Sequence, residues 1–401
     1  MSSHPSITRV KISNYKSIAA CEVVLGPLTF VVGPNGSGKS NFLDALRFVS
    51  DALRTTVEHA LRERGGINEV RRRSSGRPNH FGIRIEFRLA DGTPGHYAFK
   101  IAARSNGGFE VKREQCLIHS LVPASFQVDS GLVRLNLSPE KIQVPSDRLY
   151  LVAASGSNVF RPVYDALANM VFYSLNPDRM RAMQIPDSGE ILIRDGGNST
   201  SVFRVLSRVA PEKISRVVEY LSKVVPGIRN VRAREIGPLE SLEFQMDGVT
   251  GKDSFQFHAS NMSDGTLRAL GILLSLFQSK NGTHLTLIGM EEPEIALHPA
   301  ATGVLVDALR EASQESQILV TSHSPDLLDM VSMQDESILA VTKEKGDSQI
   351  ATLDQASKGV LYSGLYSVGE LLRIGQLAPE STELFDPISA QRSLFDRIDV
   401  Q

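Results

Sequence analysis

The sequence predicts an α/β fold on a mixed β-sheet, with an antiparallel β-rich subdomain and a helical lid insertion. Three observations carry this expectation. An apolar strand, a glycine-rich loop and an amphipathic helix follow one another between residues 28 and 49. Segments that alternate with a period of two fill much of residues 81–118. Two further apolar strands, ending at Met290 and Thr321, each run into a cluster of polar residues.

Taken in order, Thr8 to Ile12 alternates polar and apolar residues, as a half-buried strand does. Leu28 to Val32 is a short apolar run that stops at a glycine and suits a buried strand. Beyond the glycine loop, Phe42, Leu43, Ala45, Leu46 and Val49 mark one apolar face of a helix. Phe81 to Leu89 alternates, Asp91-Gly92 turns, and Tyr97 to Ala102 returns, so an antiparallel hairpin is expected, with Phe109 to Ile118 as a third strand. Arg161 to Gly227 reads as mostly helical. Within it, Ser201 to Leu206 and Pro211 to Val225 form two helices, the second opened by Pro211 and closed by Pro226-Gly227. Thr283 to Met290 and Gln317 to Thr321 are again apolar strands. The expected division is a discontinuous core over 1–70 and 250–345, a β-rich subdomain over 71–160, a helical lid over 161–249, and a tail over 346–401 that packs on the core.

Bulk properties narrow the function classes. A chain of 401 residues with 41% hydrophobic and 22% charged residues can bury a large core and is not disordered as a whole. A formal charge of −2 provides no global positive field for nucleic acid. The only cysteines, Cys21 and Cys116, lack paired spacing, which argues against a disulfide framework or a cysteine zinc site and fits a reducing cytoplasm. The opening Met1-Ser2-Ser3-His4-Pro5 has no secretory pattern, and no run approaches the roughly 20 apolar residues that span a bilayer. There is no long heptad region for coiled-coil arms.

Four motifs carry chemistry. Gly33-Pro34-Asn35-Gly36-Ser37-Gly38-Lys39-Ser40 has the phosphate-loop spacing G-x-x-x-x-G-K-[ST]. Its glycines let backbone N–H groups curl around phosphate oxygens, and the following helix points its positive end at the same anion. Lys39 is expected on the β and γ phosphates of ATP, and the Ser40 hydroxyl on Mg²⁺. The strand Leu285 to Met290 delivers Glu291 and Glu292 at its carboxyl end, where one carboxylate can serve a metal and the next can deprotonate water. A solvated acidic turn is the plain alternative. Ser263-Asp264-Gly265-Thr266 opens an apolar helix and reads either as an anion-binding end or, on its own, as an ordinary N-cap. His323, in Thr321-Ser322-His323-Ser324, stands where it could polarise a γ-phosphate, although a lone histidine is more often structural.

Together these motifs resemble the ATPase heads of the ABC class, in the SMC, RecF and OLD-like branch. Gly33 to Ser40, with Asn41 after it, resembles Walker A; Ser263-Asp264-Gly265 the ABC signature; Leu287 to Pro293 Walker B with its catalytic glutamate; Glu294 to Pro299 the D-loop; and His323 the switch histidine. Asn14-Tyr15-Lys16-Ser17 resembles the N-F-[KR]-S segment of the same heads, which adds Lys16 to the nucleotide-binding set. The resemblance covers about residues 6–55 and 255–345. It implies a P-loop fold of ABC-ATPase type that binds ATP and Mg²⁺, with Ser40 and Glu291 on the metal, and Glu292 and His323 in catalysis. Lys16, Gly33, Asn35, Gly36, Ser37, Gly38, Lys39, Ser40, Asn41, Ser263 and Gly265 are implied in nucleotide binding. It further implies a homodimer with ATP between a Walker A and the partner's signature, and an output on DNA or on a separately encoded effector such as a nuclease.

Some positions depart from the pattern. Walker B offers Glu291 where Asp is usual, the signature has Asp264 and Thr266 where transporters have Gly and Gln, and only Gln115 and Gln184 are candidates for a Q-loop. No Asp-x-Asp pair follows His323, so the chain reads as an ATPase without a TOPRIM nuclease domain of its own. A non-hydrolysing ATP-sensing module is the competing function. A kinase or GTPase is disfavoured, since there is no N-K-x-D motif. Arg71-Arg72-Arg73 with Arg77, and Arg229, Arg232 and Arg234, could meet nucleic-acid phosphates or form solvated faces.

Overall fold

The computed structural model describes residues 4–73, 78–136, 138–248, 253–279, 285–332, 336–380 and 394–396. The chain forms two compact units, one of Met1–Met170, Glu336–Tyr366 and Ile374–Gln401, the other of Val171–Asp335 and Ser367–Arg373.

The first unit opens with β1 (Ser6–Tyr15), β2 (Ile18–Val24) and β3 (Leu28–Val32), followed by helix α1 (Lys39–Arg54). Next come β4 (His80–Arg88), β5 (Pro94–Ala103), β6 (Phe109–Ile118), β7 (Ala124–Asp129), β8 (Leu132–Leu135) and β9 (Ser138–Gln143). Eight of these strands make one sheet in the order β2-β1-β4-β5-β6-β7-β8-β9. Every pairing in it is antiparallel. The β4–β5 turn forms as expected, with Asp91 Oδ1 accepting from Thr93 N at 2.9 Å. The apolar face of α1 packs here through a cluster of edge-on rings. Phe48 stands 5.3 Å from Phe81 and 6.3 Å from Tyr15.

The polar side of that helix is also built in. Asp44 is 9% exposed and accepts from Tyr15 Oη at 2.9 Å and Arg64 Nε at 3.0 Å, while Lys16 Nζ lies 2.5 Å away. Burial pushes the Asp44 carboxyl pKa up, but Arg64, Lys16 and Arg47 outweigh it and hold the group below the usual carboxylate range.

The second unit begins at Val171, inside β10 (Met170–Tyr173), and its helices Ser199–Val209 and Pro211–Val224 stand where the apolar periodicity predicts them. The remainder of the expected helical segment is different. Residues 182–198 are irregular, and β11 (Ile228–Ile236), β12 (Leu239–Asp247) and β13 (Ser254–His258) form an antiparallel sheet in that order. The reason is a period of two: Leu242 and Phe244 are fully buried, and Arg232 and Arg234 point away. The apolar helix Asp264–Phe277 then leads to β14 (Leu287–Glu291) and β15 (Gln317–Ser322), which pair in parallel in the order β10-β14-β15. Thr283, expected in the first of these two strands, lies outside the described residues.

The chain finally returns to the first unit with β16 (Ser337–Glu344) and β17 (Asp347–Thr352). β16 runs parallel to β3 and antiparallel to β17, so the start of the expected tail is a sheet strand.

The Asp44 cluster makes a stability prediction. Asp44→Ala takes from the Arg64 guanidinium, whose side chain is 2% exposed, the more buried of its two carboxylates and leaves Asp51 alone. The expected loss is about 3 kcal/mol, read from urea unfolding at neutral pH. Because the folded pKa of Asp44 is depressed, its contribution is full at neutral pH and disappears as pH falls through the acid carboxylate range. Asp44→Asn should therefore lose less stability than the parent between about pH 5 and pH 2.

Candidate functional site

The phosphate loop leaves β3, whose five residues are all buried, and ends at the start of α1. Gly36 and Gly38 adopt φ of 74° and 114°, values that a side chain strongly disfavours. A Cβ on Gly38 would lie 2.0 Å from Ser348 Oγ. Asn35, Gly36 and Ser40 are exposed, while Ser37 and Lys39 are buried. Lys39 Nζ donates to the carbonyls of Gly33 at 2.8 Å and Pro34 at 3.0 Å, which keeps the ammonium against the loop. The first turn of α1 holds no acidic residue, so nothing there opposes an anion.

Remote hydroxyls hold the loop in shape. Ser348 Oγ, on β17, donates to Ser37 O at 2.6 Å and lies 2.6 Å from Ser17 Oγ. Asn41 Nδ2 donates to the same Ser17 Oγ at 2.7 Å. Sequence reading placed Asn41 and the Ser17 segment but missed Ser348, a single serine in a stretch read as tail. Lys16, expected on the nucleotide, has φ of 47° and engages Asp44.

The carboxylate group is built in the second unit. In the parallel register Glu291 stands opposite Thr321, so Glu292 and His323 both leave the sheet just beyond that pair. Glu292 turns the chain with φ of 45°, and its N–H donates to Thr321 O at 3.0 Å. His323 Nδ1 lies 2.8 Å from Glu292 Oε1, a direct carboxylate–imidazole hydrogen bond. Glu294 accepts from Ser322 Oγ at 2.5 Å; burial, with a smaller push from Glu292, holds its pKa above the ordinary range despite that bond. Glu291 Oε1 lies 3.3 Å from Arg194 Nη2, a partner that sequence reading missed and no motif signalled. Glu291 and Glu292 line a small cavity together with Tyr173, Arg268 and Ile272.

The signature serine is an N-cap, as the plain reading of that stretch has it. Ser263 is exposed, and its Oγ accepts from Thr266 N at 3.2 Å. A Cβ on Gly265 would lie 2.6 Å from Ala296 O, so the signature turn packs closely on the D-loop stretch.

Three comparisons bear on this arrangement. The protein family described as "AAA domain, putative AbiEii toxin, Type IV TA system" matches residues 28–329. The chain belongs to this family. Structural maintenance of chromosomes protein 1 of Schizosaccharomyces pombe is 32% identical over 139 residues, 32% of this chain and 11% of that protein. The Old nuclease of Escherichia phage P2 is 21% identical over 80% of this chain and 57% of its own, and the OLD nuclease of Thermus scotoductus 21% over 86% and 64%. The chain thus spans less than two thirds of the length of each of these curated relatives. Among solved structures, an Smc head bound to the C-winged helix domain of ScpA covers 88% of this chain and 99% of its own, at a TM-score of 0.56 and 16% identity. An Smc head with an extended coiled coil, bound to the C-terminal domain of ScpA from Pyrococcus furiosus, covers 90% and 99% at a TM-score of 0.58 and 14% identity. The fold is that of an ABC-type ATPase head of the SMC and OLD-like branch.

In such a head the donor set decides which metal fits. Among the described residues no three His, Cys, Asp or Glu stand together as a metal cage, and the Glu291 carboxylate is a hard oxygen donor. Such a sparse oxygen donor suits Mg²⁺, which takes one or two protein oxygens and fills its shell with phosphate and water.

The remaining candidates are occupied elsewhere. Gln115 bonds His96 at 3.1 Å and the backbone of Asp396, and Gln184 bonds Ser199 Oγ at 3.1 Å and Thr200 N at 2.9 Å; both are buried and structural. Arg72 pairs with Asp347 at 2.7 Å, Arg71 with Asn68 at 3.0 Å and Arg73 with Glu69. Arg229 pairs with Asp247 and Arg234 with Glu243, Arg232 is exposed, and Arg77 lies outside the described residues.

Two substitutions test the loop. Lys39→Ala should abolish ATP binding in calorimetry, since the phosphates lose the loop ammonium. Ser348→Ala removes both hydroxyl contacts at 2.6 Å and should weaken ATP by about tenfold while leaving the fold intact.

Proposed function

We propose that this chain is an ATP-driven switch that binds ATP at the phosphate loop, hydrolyses it, and pairs with a second copy in its ATP-bound state. The observation that carries hydrolysis is the 2.8 Å bond between His323 and Glu292 at the ends of adjacent parallel strands. A carboxylate held by an imidazole N–H is oriented and still able to accept a proton from water. Glu292 is the general base in this reading, and His323 orients it through Nδ1–H. Lys39, Asn41 and the backbone N–H groups of Asn35, Gly36, Ser37 and Gly38 hold the phosphates. Ser40 and Glu291 would hold Mg²⁺, which would neutralise phosphate charge. Ser263 and Gly265 act in trans on the ATP of the second copy.

The output we propose is DNA handling, in repair or phage defence, or control of a separately encoded effector such as a nuclease. Two relatives are nucleases by name, and both matched Smc heads carry a piece of ScpA. The internal pairing of Arg71, Arg72 and Arg73 lends no support to that loop as a DNA contact. A second reading, an ATP-sensing module without turnover, is favoured by Arg194 standing on Glu291. Phosphate release above a Lys39→Ala control separates the two.

Glu292→Gln keeps size and hydrogen bonding but cannot take the proton. ATP should still bind, turnover should fall about 100-fold or more, and the protein should accumulate as an ATP-bound dimer in light scattering. Ser263→Arg should prevent that dimer and leave ATP binding intact. A Glu292→Gln protein that stays monomeric at saturating ATP contradicts the dimer, and one that hydrolyses at the parent rate moves the base elsewhere.

A further inference from the structure

Two of this chain's departures from the usual head, Glu291 and Asp264, both meet arginines from one segment. Arg194 Nη2 lies 3.3 Å from Glu291 Oε1, and Arg181 pairs with Asp264. The stem of Arg194 is held on both sides. Its carbonyl accepts from Ser174 N at 3.1 Å, and the carbonyl of Asp195 accepts from Asn176 N at 3.0 Å. Gly196 N closes a turn on Ile193 O at 2.9 Å, and the buried Asn198 accepts from Ile193 N at 2.9 Å. The side chain beyond that backbone is 46% exposed and ends on Glu291. The fixed backbone therefore delivers a cation to one carboxylate.

That carboxylate belongs to a crowded set. Glu291, Glu292 and Glu294 lie within four residues, and Arg268 lines the same small cavity as the first two, donating to Leu175 O at 3.0 Å. In the absence of a metal a neighbouring guanidinium offsets carboxylate repulsion. Once a dication approaches, the same guanidinium repels it and occupies one of its oxygens. The extra methylene of Glu291, compared with Asp, extends the carboxylate toward Arg194.

We propose that Arg194 competes with the divalent cation for Glu291 and so sets the metal concentration at which the site loads. It is a positioning residue rather than a catalytic one: it acts through Glu291 and lets go when metal binds. The inference rests on the reading of Glu291 as a metal-shell carboxylate.

Mn²⁺ binding to the full chain, followed by electron paramagnetic resonance with a saturating non-hydrolysable ATP analogue, tests it. Arg194→Ala should lower the half-saturating Mn²⁺ concentration about fivefold, and Arg194→Lys, which keeps the charge, should stay near the parent. In a Glu291→Gln background the Arg194→Ala effect should vanish, which a merely structural role would not produce. Unchanged or weaker Mn²⁺ binding in Arg194→Ala, with Glu291→Gln weakened about tenfold, overturns this proposal alone. Mn²⁺ binding unaffected by Glu291→Gln overturns the metal role of Glu291 and this proposal with it.

Discussion

The parallel register of β14 and β15 is the constraint on which the carboxylate cluster of the second unit depends. Glu291 stands opposite Thr321, so both strands finish at one level, and the residues just beyond them share one edge of the sheet. Parallel pairing places both carboxyl ends together, where open α/β sheets collect ligand-binding side chains. Glu292 turns away with a φ of 45°, a conformation that costs about 1–3 kcal/mol for a residue with a side chain. The Glu292 N–H bond to Thr321 O at 3.0 Å helps hold that turn, and its result is the 2.8 Å contact with His323.

The phosphate loop depends on a different device, remote hydroxyls. A loop with φ of 74° and 114° at its glycines has few intrinsic restraints. Ser348 supplies one from β17, through Ser37 O and Ser17 Oγ, and Asn41 supplies another. These bonds place the ordering cost in folding rather than in ligand binding, which is preorganisation. Asp44 does similar work on α1 by tying Tyr15, Lys16 and Arg64 to one buried carboxylate.

Electrostatics joins the second unit's motifs to Arg181 and Arg194. Glu291, Asp264 and Glu294 bring negative charge to strand ends and helix starts. Arg194 and Arg181 meet the first two, and burial raises the pKa of the third. Asp264 also stands in the first turn of its helix, where a negative charge is favourable. The acidic departures from the usual head are thus compensated locally.

The sequence by itself determined the parts set by local pattern. Leu28–Val32 and Phe109–Ile118 are strands at the expected residues, α1 follows the glycine loop, and Ser263 caps its helix. These follow from apolar period, glycine conformation and capping chemistry, which act over a few residues. Period two was present in 228–247 as well, yet the neighbouring helical pattern masked it, and strands formed. Only the tertiary structure decided that Lys16 meets Asp44, that Ser348 braces the loop, and that Arg194 meets Glu291. Each of these contacts joins residues far apart in the chain or on separate elements. Their partners are chosen by how strands and loops are brought together in the fold, which leaves no local mark on the sequence.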